Sequence, residues 1–211
     1  MEKIILMGGG GHCKSIIDSI KSKGNFEIVG IIDINNKGKK ILGVEILGGN
    51  EELPKLYSQG VKNAFICVGS VGDPSVRKRL YNEIKNIGYS FPVISDLTSI
   101  ISPYATIEDG VFIGKGAIVN ANAYIKKQAI INTGVIVDHD CKIGEFVHLA
   151  PGSTLSGTVV VGDNSHIGTN STIIQGINIG ENVLVGAGSV IVKDIEDNSK
   201  VCGNPGRKMK A

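Results

Sequence analysis

An aliphatic residue recurs at every sixth position over the C-terminal half of the chain. Sixteen consecutive positions keep this spacing, from Ile101 to Ile191, and each of them carries Ile, Leu or Val. The residue two places earlier is small or aliphatic, and Gly, Asn and Asp crowd the remaining places. A period of six fits neither an α-helix nor a simple array of hairpins. It is typical of a triangular coil, in which each side is one short strand and each corner is a turn.

The aliphatic residues of such a coil are expected to point inward, so that each coil covers the apolar interior of its neighbour. At three hexads per coil, sixteen hexads give a little over five coils. We therefore predict an all-β parallel β-helix over residues 96–211. The period does not determine the handedness of the coil, which parallel crossovers usually make right-handed.

Residues 1–95 follow a different pattern, in which short apolar strands alternate with helical spacing. The pattern predicts strands over 3–7, 26–32 and 64–68 and helices over 12–23, 51–57 and 74–86. Strand–helix alternation is typical of a parallel sheet with helices on its faces. We predict a small Rossmann-like α/β domain over residues 1–95.

Composition excludes several classes of protein. Twenty-two basic and 20 acidic residues leave a net charge of +2, which does not indicate a nucleic-acid surface. No apolar stretch approaches the roughly 18 residues that a membrane span requires. The four cysteines are scattered without a CxxC pair, so neither a zinc cluster nor a disulfide framework is predicted. We expect a cytoplasmic protein that requires no metal.

Several segments together resemble one family. They are the opening Gly8–His12, the segment Ile41–Gly48, the motif Val137-Asp138-His139-Asp140-Cys141 and the closing Val201–Pro205. With the hexads they make the chain resemble the PglD/NeuD group of hexapeptide acyltransferases, which are sugar N- and O-acetyltransferases of bacterial glycan and sialic acid pathways. The resemblance implies a left-handed β-helix, a homotrimer with sites between subunits, and acetyl-CoA as co-substrate.

The motif around His139 carries the expected catalytic chemistry. An imidazole with a pKa near 6.5 suits a general base at neutral pH, and Asp138 and Asp140 flank this one. The resemblance implies that His139 is the base and that Asp140 modulates it. Neighbouring side chains of a straight strand point to opposite faces, so an Asp140–His139 pair requires a coil corner.

The acetyl-CoA site is expected along neighbouring coils. The resemblance implies that His148 touches acetyl-CoA, and small residues would let the pantetheine arm approach the backbone. The residues expected to line that arm are Gly157, Thr169, Gly186 and Ala187. His166 lies three hexads after His148, so the two should stack one coil apart, with His166 interpreted as a surface histidine at a subunit contact. Cys141 occupies an inward position and is interpreted as core.

The glycine-rich opening predicts a nucleotide site. Backbone N–H groups at a helix N-terminus can bind phosphate, and Asp33 lies 22 residues past Gly11, where a dinucleotide site holds its ribose-binding acid. Cys13, however, replaces the third glycine of that motif. The resemblance implies instead that the nucleotide of a UDP-sugar is bound, with one further contact near the sugar. The residues implied are Gly10, Gly11, His12, Asp33 and Asn132. Some relatives carry two adjacent acids here, whereas Ile34 follows Asp33, which leaves UDP binding open.

Four functions remain as hypotheses. The first is N-acetylation of the 4-amino group of a nucleotide-activated amino sugar, with UDP as the expected nucleotide. The second is O-acetylation of sialic acid or another sugar. The third is a zinc carbonic anhydrase of the gamma type, which needs three histidines, but His139, His148 and His166 lack the close histidine pair of such sites. The fourth is a sugar-nucleotide-binding protein without catalytic activity.

Overall fold

The structure is a computed structural model that describes residues 1–209. Its N-terminal part is an α/β sheet and its C-terminal part is a triangular parallel β-helix. The position at which one domain ends and the next begins, placed between residues 95 and 96 from the sequence, stays a prediction.

The α/β part has a five-stranded sheet in the order β3-β4-β2-β1-β5, parallel except for the β3–β4 hairpin. A 3₁₀ turn over Asn50–Glu52 precedes α2. The elements are β1 (Glu2–Met7), α1 (Gly11–Lys23), β2 (Phe26–Ile32), β3 (Lys40–Ile41), β4 (Val44–Gly48), α2 (Leu53–Ser58), β5 (Asn63–Ile66) and α3 (Ser75–Ile87). The predicted strands and helices are present to within one or two residues at most ends. The hairpin was missed because its strands are short and lie at the sheet edge.

Alternating residues of β1 bury opposite sides of this sheet. Ile4 and Leu6 share a core with Ile16 and Ile20 of α1. Ile5 and Met7 point to the other side, where they pack with residues of α2 and α3 such as Leu53 and Ile84. Because successive side chains of a strand alternate, one continuous apolar strand can serve helices on both faces.

The β-helix has three faces, each built of two-residue strands stacked in parallel. What we call the covered face contains Ile94–Ser95, Phe112–Ile113, Ile130–Ile131, His148–Leu149, His166–Ile167, Leu184–Val185 and Lys200–Cys202, with Arg207–Lys208 antiparallel at its end. The apolar face contains Ile100–Ile101, Ile118–Val119, Ile136–Val137, Thr154–Leu155, Thr172–Ile173 and Val190–Ile191. The polar face contains Thr106–Ile107, Tyr124–Ile125, Lys142–Ile143, Val160–Val161 and Asn178–Ile179.

The second residue of nearly every strand points inward, and the inward residues form one core that runs the length of the coils. Partners in neighbouring coils are offset by three hexads, as with Ile125 and Ile143. Small residues such as Ala123 and Cys141 fill the corners of the interior and are completely buried. The prediction from the hexads, including Cys141 as a core residue, is thus confirmed.

The corners explain why Gly, Asn and Asp crowd the remaining hexad positions. Many corners hold a residue in the left-handed region, such as Gly116 (φ 63°), Asn122 (φ 60°) and Asp140 (φ 61°). Glycine adopts this conformation without cost, and Asn and Asp tolerate it better than most other residues. The many Gly, Asn and Asp residues therefore indicate tight turns rather than a flexible chain.

The α/β part packs on the covered face. Phe112 and Ile130 point outward from this face and are buried in the same core as α1. The buried carboxylate of Asp96 accepts a hydrogen bond from the Ser19 hydroxyl of α1 at 2.6 Å. On the other side, the buried guanidinium of Arg77 in α3 donates to the corner carbonyls of Phe146 and Gln128. Apolar burial and these polar contacts fix the α/β part at one end of the coils.

The inward position of each hexad should govern the stability of the coil. We expect Ile143→Ala, which removes a side chain that is 1% exposed, to lower the free energy of unfolding by about 2–5 kcal/mol. Its outward neighbour Lys142 is exposed, so Lys142→Ala should change that free energy by less than about 0.5 kcal/mol. Urea unfolding at one fixed protein concentration measures both. Equal losses in the two variants would contradict the inward assignment.

Candidate active site

His139 and Asp140 form a hydrogen-bonded pair on the edge between the apolar and polar faces. We call this edge the His139 edge (residues 120–123, 138–141 and 156–159). The His139 Nδ1 and Asp140 Oδ2 atoms are 2.7 Å apart. Asp140 reaches back to its neighbour because its left-handed backbone turns the chain at this corner. The coil corner that the pair requires is therefore present.

Two further carboxylate contacts hold the His139 edge. Asp138 Oδ1 accepts the backbone N–H of His139 at 2.8 Å, and Asp140 Oδ1 accepts the side-chain N–H of Asn122 at 2.6 Å. The hydrogen bond that His139 donates to Asp140 and the negative charge of Asp138 raise the pKa of His139 above its ordinary value of 6.5. The His139 side chain is 59% exposed, so its Nε2 atom is open to an incoming molecule.

Gly157 lies one coil beyond His139, on the same edge. A Cβ atom at this position would lie 2.6 Å from both Cε1 and Nε2 of the His139 ring. Glycine therefore leaves the space that the imidazole occupies. The structure groups Gly157 with the His139–Asp140 pair rather than with the other residues predicted to bind acetyl-CoA.

Those other residues come together around a cavity beside a second edge, between the covered and apolar faces. We call it the small-residue edge (residues 150–153, 168–171 and 186–189). The cavity has a volume of about 520 Å³ and is lined by His148, Thr169, Gly186 and Ala187, together with His166 and Val71. Its wall is mostly apolar and lacks large side chains along the edge. An extended, thin chain would fit such a surface.

His148 is held by contacts to both ring nitrogens. Its Nδ1 lies 2.7 Å from the carbonyl oxygen of Ser70, so Nδ1 must carry the proton. Its Nε2 then accepts from Asn132 Nδ2 at 3.1 Å. Burial lowers the pKa of His148 to about 3, which keeps the ring neutral. Asn132, which the resemblance implies to lie near the sugar, thus contacts a residue of the cavity wall, and its role in binding the sugar stays a prediction.

His166 stacks on His148 as the hexad spacing predicted. The two residues are paired in register, and their ring centroids are 4.9 Å apart. The interpretation of His166 as a surface histidine is wrong, because it is 6% exposed in the chain. Burial lowers its pKa as well. Its place on the covered face, next to the loop that carries Val71, is what the hexads alone could not show.

Three of the predicted nucleotide residues, Gly10, Gly11 and Asp33, gather at the carboxyl ends of β1 and β2. Gly10 and Gly11 are exposed at the N-terminus of α1, where no side chain caps the helix. Asp33 directly follows β2 and accepts the backbone N–H of Gly9 at 2.7 Å, so it shapes the glycine loop. His12 instead turns towards the β-helix, with its ring edge-on to Phe112 at 5.2 Å. Burial lowers the pKa of His12 to about 4.

Several residues of this region were missed from the sequence. Asn122 could have been found, because it precedes Asp140 by three hexads and therefore stands one coil below it. Ser70 and Val71 carry no such signal, since the loop after β5 reaches the cavity only through the packing of the α/β part. The sequence likewise gives no sign of the contacts that Arg77 makes with the β-helix.

Residues 1–209 contain neither a metal-binding cluster nor a membrane-spanning helix. Over residues 1–209, no group of three or more His, Cys, Asp or Glu side chains is arranged to hold a metal ion. None of the helices in that range combines the length and apolar character that crossing a membrane would take. The expected location in the cytoplasm stays a prediction.

Two family models match the chain. The "PglD N-terminal domain" matches residues 3–84, and the "hexapeptide repeat of succinyl-transferase" matches residues 158–193. No curated protein sequence matches significantly.

Solved structures match over the full length. PerB from Caulobacter crescentus, in complex with CoA and GDP-perosamine, is 34% identical with a TM-score of 0.93, covering 100% of this chain and 98% of that one. The acetyltransferase domain of PglB from Neisseria gonorrhoeae, in complex with acetyl coenzyme A, is 32% identical with a TM-score of 0.92, covering 99% of each chain. WeeI from Acinetobacter baumannii is 25% identical with a TM-score of 0.86, covering 99% of this chain and all of the other.

Fold, edge residues and matches together define the class: the protein is a left-handed β-helix acyltransferase that uses acetyl-CoA. More narrowly, the chain belongs to the PglD-type sugar acetyltransferases, because it shares a third of its sequence with PerB over nearly the whole of both chains. The fold and family implied by the resemblance are thereby confirmed.

The buried histidines should make the chain sensitive to acid. A histidine whose pKa is lower in the folded chain makes the folded state bind fewer protons than the unfolded state. The free energy of unfolding should therefore fall as pH drops from 6.5 towards 4, by about 1.4 kcal/mol per pH unit for each of His12 and His148. His148→Asn cannot titrate and should show a shallower fall in urea unfolding across this range.

His139→Asn serves as the matched control. Since the pKa of His139 is raised, this residue is protonated in both states between pH 5.5 and 4, and its replacement should leave the slope there unchanged. A His148→Asn variant with the same slope as the wild type would contradict the burial of a neutral imidazole.

Proposed function

We propose that the protein transfers the acetyl group of acetyl-CoA to the 4-amino group of a nucleotide-activated amino sugar, with His139 as general base. The observation that carries this proposal is the 2.7 Å contact between His139 Nδ1 and Asp140, which leaves Nε2 open at an exposed edge. Asp140 fixes the tautomer, so that the free nitrogen is the one that accepts a proton.

The reaction then runs as a direct transfer between two bound substrates. The sugar amine attacks the thioester carbonyl while Nε2 of His139 removes its proton, and a C–N bond forms. The C–S bond then breaks, and the thiolate of CoA leaves and is protonated. The raised pKa of His139 strengthens it as a proton acceptor at neutral pH. Asp140 stabilises the imidazolium that forms. Backbone N–H groups close to the acetyl group would serve the oxyanion.

Acetyl-CoA is proposed to lie along the small-residue edge. Thr169, Gly186 and Ala187 line the cavity with little side-chain bulk, which suits the narrow pantetheine arm. His148 contributes a neutral ring to the same wall. Gly157 would act beside the base, where it leaves room for the His139 ring and for the reacting thioester.

The nucleotide is proposed to bind at the carboxyl edge of the α/β sheet. The exposed N-terminus of α1 offers unpaired backbone N–H groups to the phosphates, and Asp33 shapes the loop that presents them. The resemblance favours UDP. PerB, which shares the fold and a third of the sequence, was solved with GDP-perosamine, so GDP stands beside UDP as the nucleotide to be tested.

A homotrimer is proposed because one chain keeps the two halves of the site apart. The His139 edge and the small-residue edge border opposite sides of the apolar face. That face presents Ile100, which is 65% exposed, and the half-buried side chains of Ile118 and Ile136. Packing three copies around this face would bring the His139 edge of one copy to the small-residue edge of the next.

The apolar face supplies the test of assembly. Sedimentation should give three times the 22.2 kDa mass of the chain. Ile118→Asp should shift the mass towards the monomer, because it places a charge in the proposed contact. Lys142→Asp on the polar face is the matched control and should leave the trimer intact. A wild-type mass equal to that of a single chain would contradict a site shared between copies.

The activity is tested by release of CoA thiol from acetyl-CoA. The panel holds 4-amino sugars linked to UDP, GDP and dTDP, together with free sialic acid, and compares the wild type with His139→Asn. We expect turnover with one nucleotide amino sugar and a loss of kcat of about 10²–10⁴-fold in the variant, which cannot accept a proton. The KM for acetyl-CoA should change little.

The other outcomes decide between the hypotheses. Turnover with sialic acid alone would establish O-acetylation instead. Equal turnover by wild type and His139→Asn would remove His139 as the base. Binding of a nucleotide sugar without any turnover would support the hypothesis of a sugar-nucleotide-binding protein without catalytic activity.

A further inference from the structure

The His139 edge contains two Asn–Asp pairs, each of which joins two neighbouring coils. Asn122 Nδ2 donates to Asp140 Oδ1 at 2.6 Å, and Asn120 Nδ2 donates to Asp138 Oδ1 at 2.8 Å. Each asparagine stands three hexads before its aspartate, directly below it in the preceding coil. The pairs are chemically the same, but their aspartates contact different atoms of His139.

Asp138 and Asp140 hold different parts of His139, namely its backbone and its ring. Asp138 Oδ1 accepts the backbone N–H of His139 at 2.8 Å, so it braces the main chain of the corner. Asp140 Oδ2 contacts the Nδ1 atom of the ring at 2.7 Å. Asn122 is therefore linked to the imidazole through one carboxylate, whereas Asn120 is linked to the backbone.

We propose that Asn122 is a positioning residue, which fixes the rotation of the Asp140 carboxylate and thereby the orientation and basicity of His139. This inference rests on the proposed role of His139 as base. No other side chain among residues 1–209 makes a hydrogen bond with Asp140 Oδ1. Without Asn122, the carboxylate could turn about its side-chain bonds and leave the ring.

The local backbone supports a dedicated role for this asparagine. Asn122 sits in the left-handed region at φ 60°, and so does Asp140 one coil above it at φ 61°. The two stacked corners project their side chains along the same edge, which brings donor and acceptor to 2.6 Å. Glycine would satisfy that backbone conformation equally well but would leave Asp140 Oδ1 without its donor.

Two pairs of variants separate positioning from stability. Asn122→Gly and Asn120→Ala each delete one donor without adding charge. Asn122→Asp and Asn120→Asp keep the size of the side chain and place the same extra charge on the same edge, but they replace the donor with an acceptor. Any general effect of charge or of a lost surface hydrogen bond should appear in both members of a pair.

The first measurement is the pKa of His139 from an NMR titration, which needs no turnover. The Asp140 contact raises this pKa, so Asn122→Gly should lower it towards 6.5, while Asn120→Ala should leave it closer to the wild-type value. The acidic limb of the pH–rate profile of Asn122→Gly should likewise shift to lower pH. An unchanged pKa in Asn122→Gly would overturn the proposal even if no acceptor had been found.

The second measurement is kcat with the acceptor found above. Asn122→Asp should lower kcat about tenfold with both KM values within about twofold, the size of effect seen when an outer partner of a functional side chain is lost. Asn120→Asp should stay within about twofold of the wild type. Equal losses in both would show a general effect of charge and would contradict the proposal.

A combined variant tests whether Asn122 acts through Asp140. In an Asp140→Gly background, adding Asn122→Asp should change kcat by less than about twofold, because the group on which Asn122 acts is gone. A further tenfold loss in that background would overturn the proposed route. If the wild type turned over none of the acceptors, that result would count against the proposed function. The NMR titration would still decide the role of Asn122, because it needs no turnover.

Discussion

The stacking of one inward aliphatic side chain on its counterpart in the next coil is the contact on which the rest of the structure depends. Strands of two residues cannot bury an apolar surface by themselves, and each coil gains its core from its neighbours. Ile125 on Ile143 on Val161 is one such column, and all three residues are almost completely buried. Because the columns fix the register, every outward and corner residue is also placed at a set height. Functional side chains can therefore be aligned across coils by sequence spacing alone.

Because the coils are in register, the side chains at their corners come together in one group. A left-handed residue turns the chain sharply enough for neighbours such as His139 and Asp140 to meet, which a straight strand would prevent. The coil below supplies Asn122 to the same carboxylate, and the coil above supplies a glycine against the ring. Three successive coils thus build one small group of side chains around a single imidazole. The faces, in contrast, are available for packing against the α/β part or against another copy of the chain.

What could be predicted from the sequence follows from this division. The hexads predicted the coils, the inward residues, the stacking of His166 on His148 and the need for a corner at His139. The burial of His166 and the contact between His148 and Ser70 could not be predicted, because both depend on the packing of the α/β part on the covered face. That packing involves Arg77 and Ser70, whose partners Phe146 and His148 lie far along the chain. Local periodicity carries no information about contacts of that kind.

Burial also explains which histidine can serve as a base. His12 and His148 are held neutral by surroundings that lower their pKa values to about 4 and about 3, and burial lowers the pKa of His166 too. Such rings are poor proton acceptors, since a base with a low pKa gains little by taking a proton at neutral pH. His139 is exposed beside two carboxylates that raise its pKa. The packing that lowers the pKa of three histidines therefore leaves the fourth as the group whose pKa suits proton transfer. Under the proposed function, the edge on which His139 lies is the edge that the acceptor amine reaches.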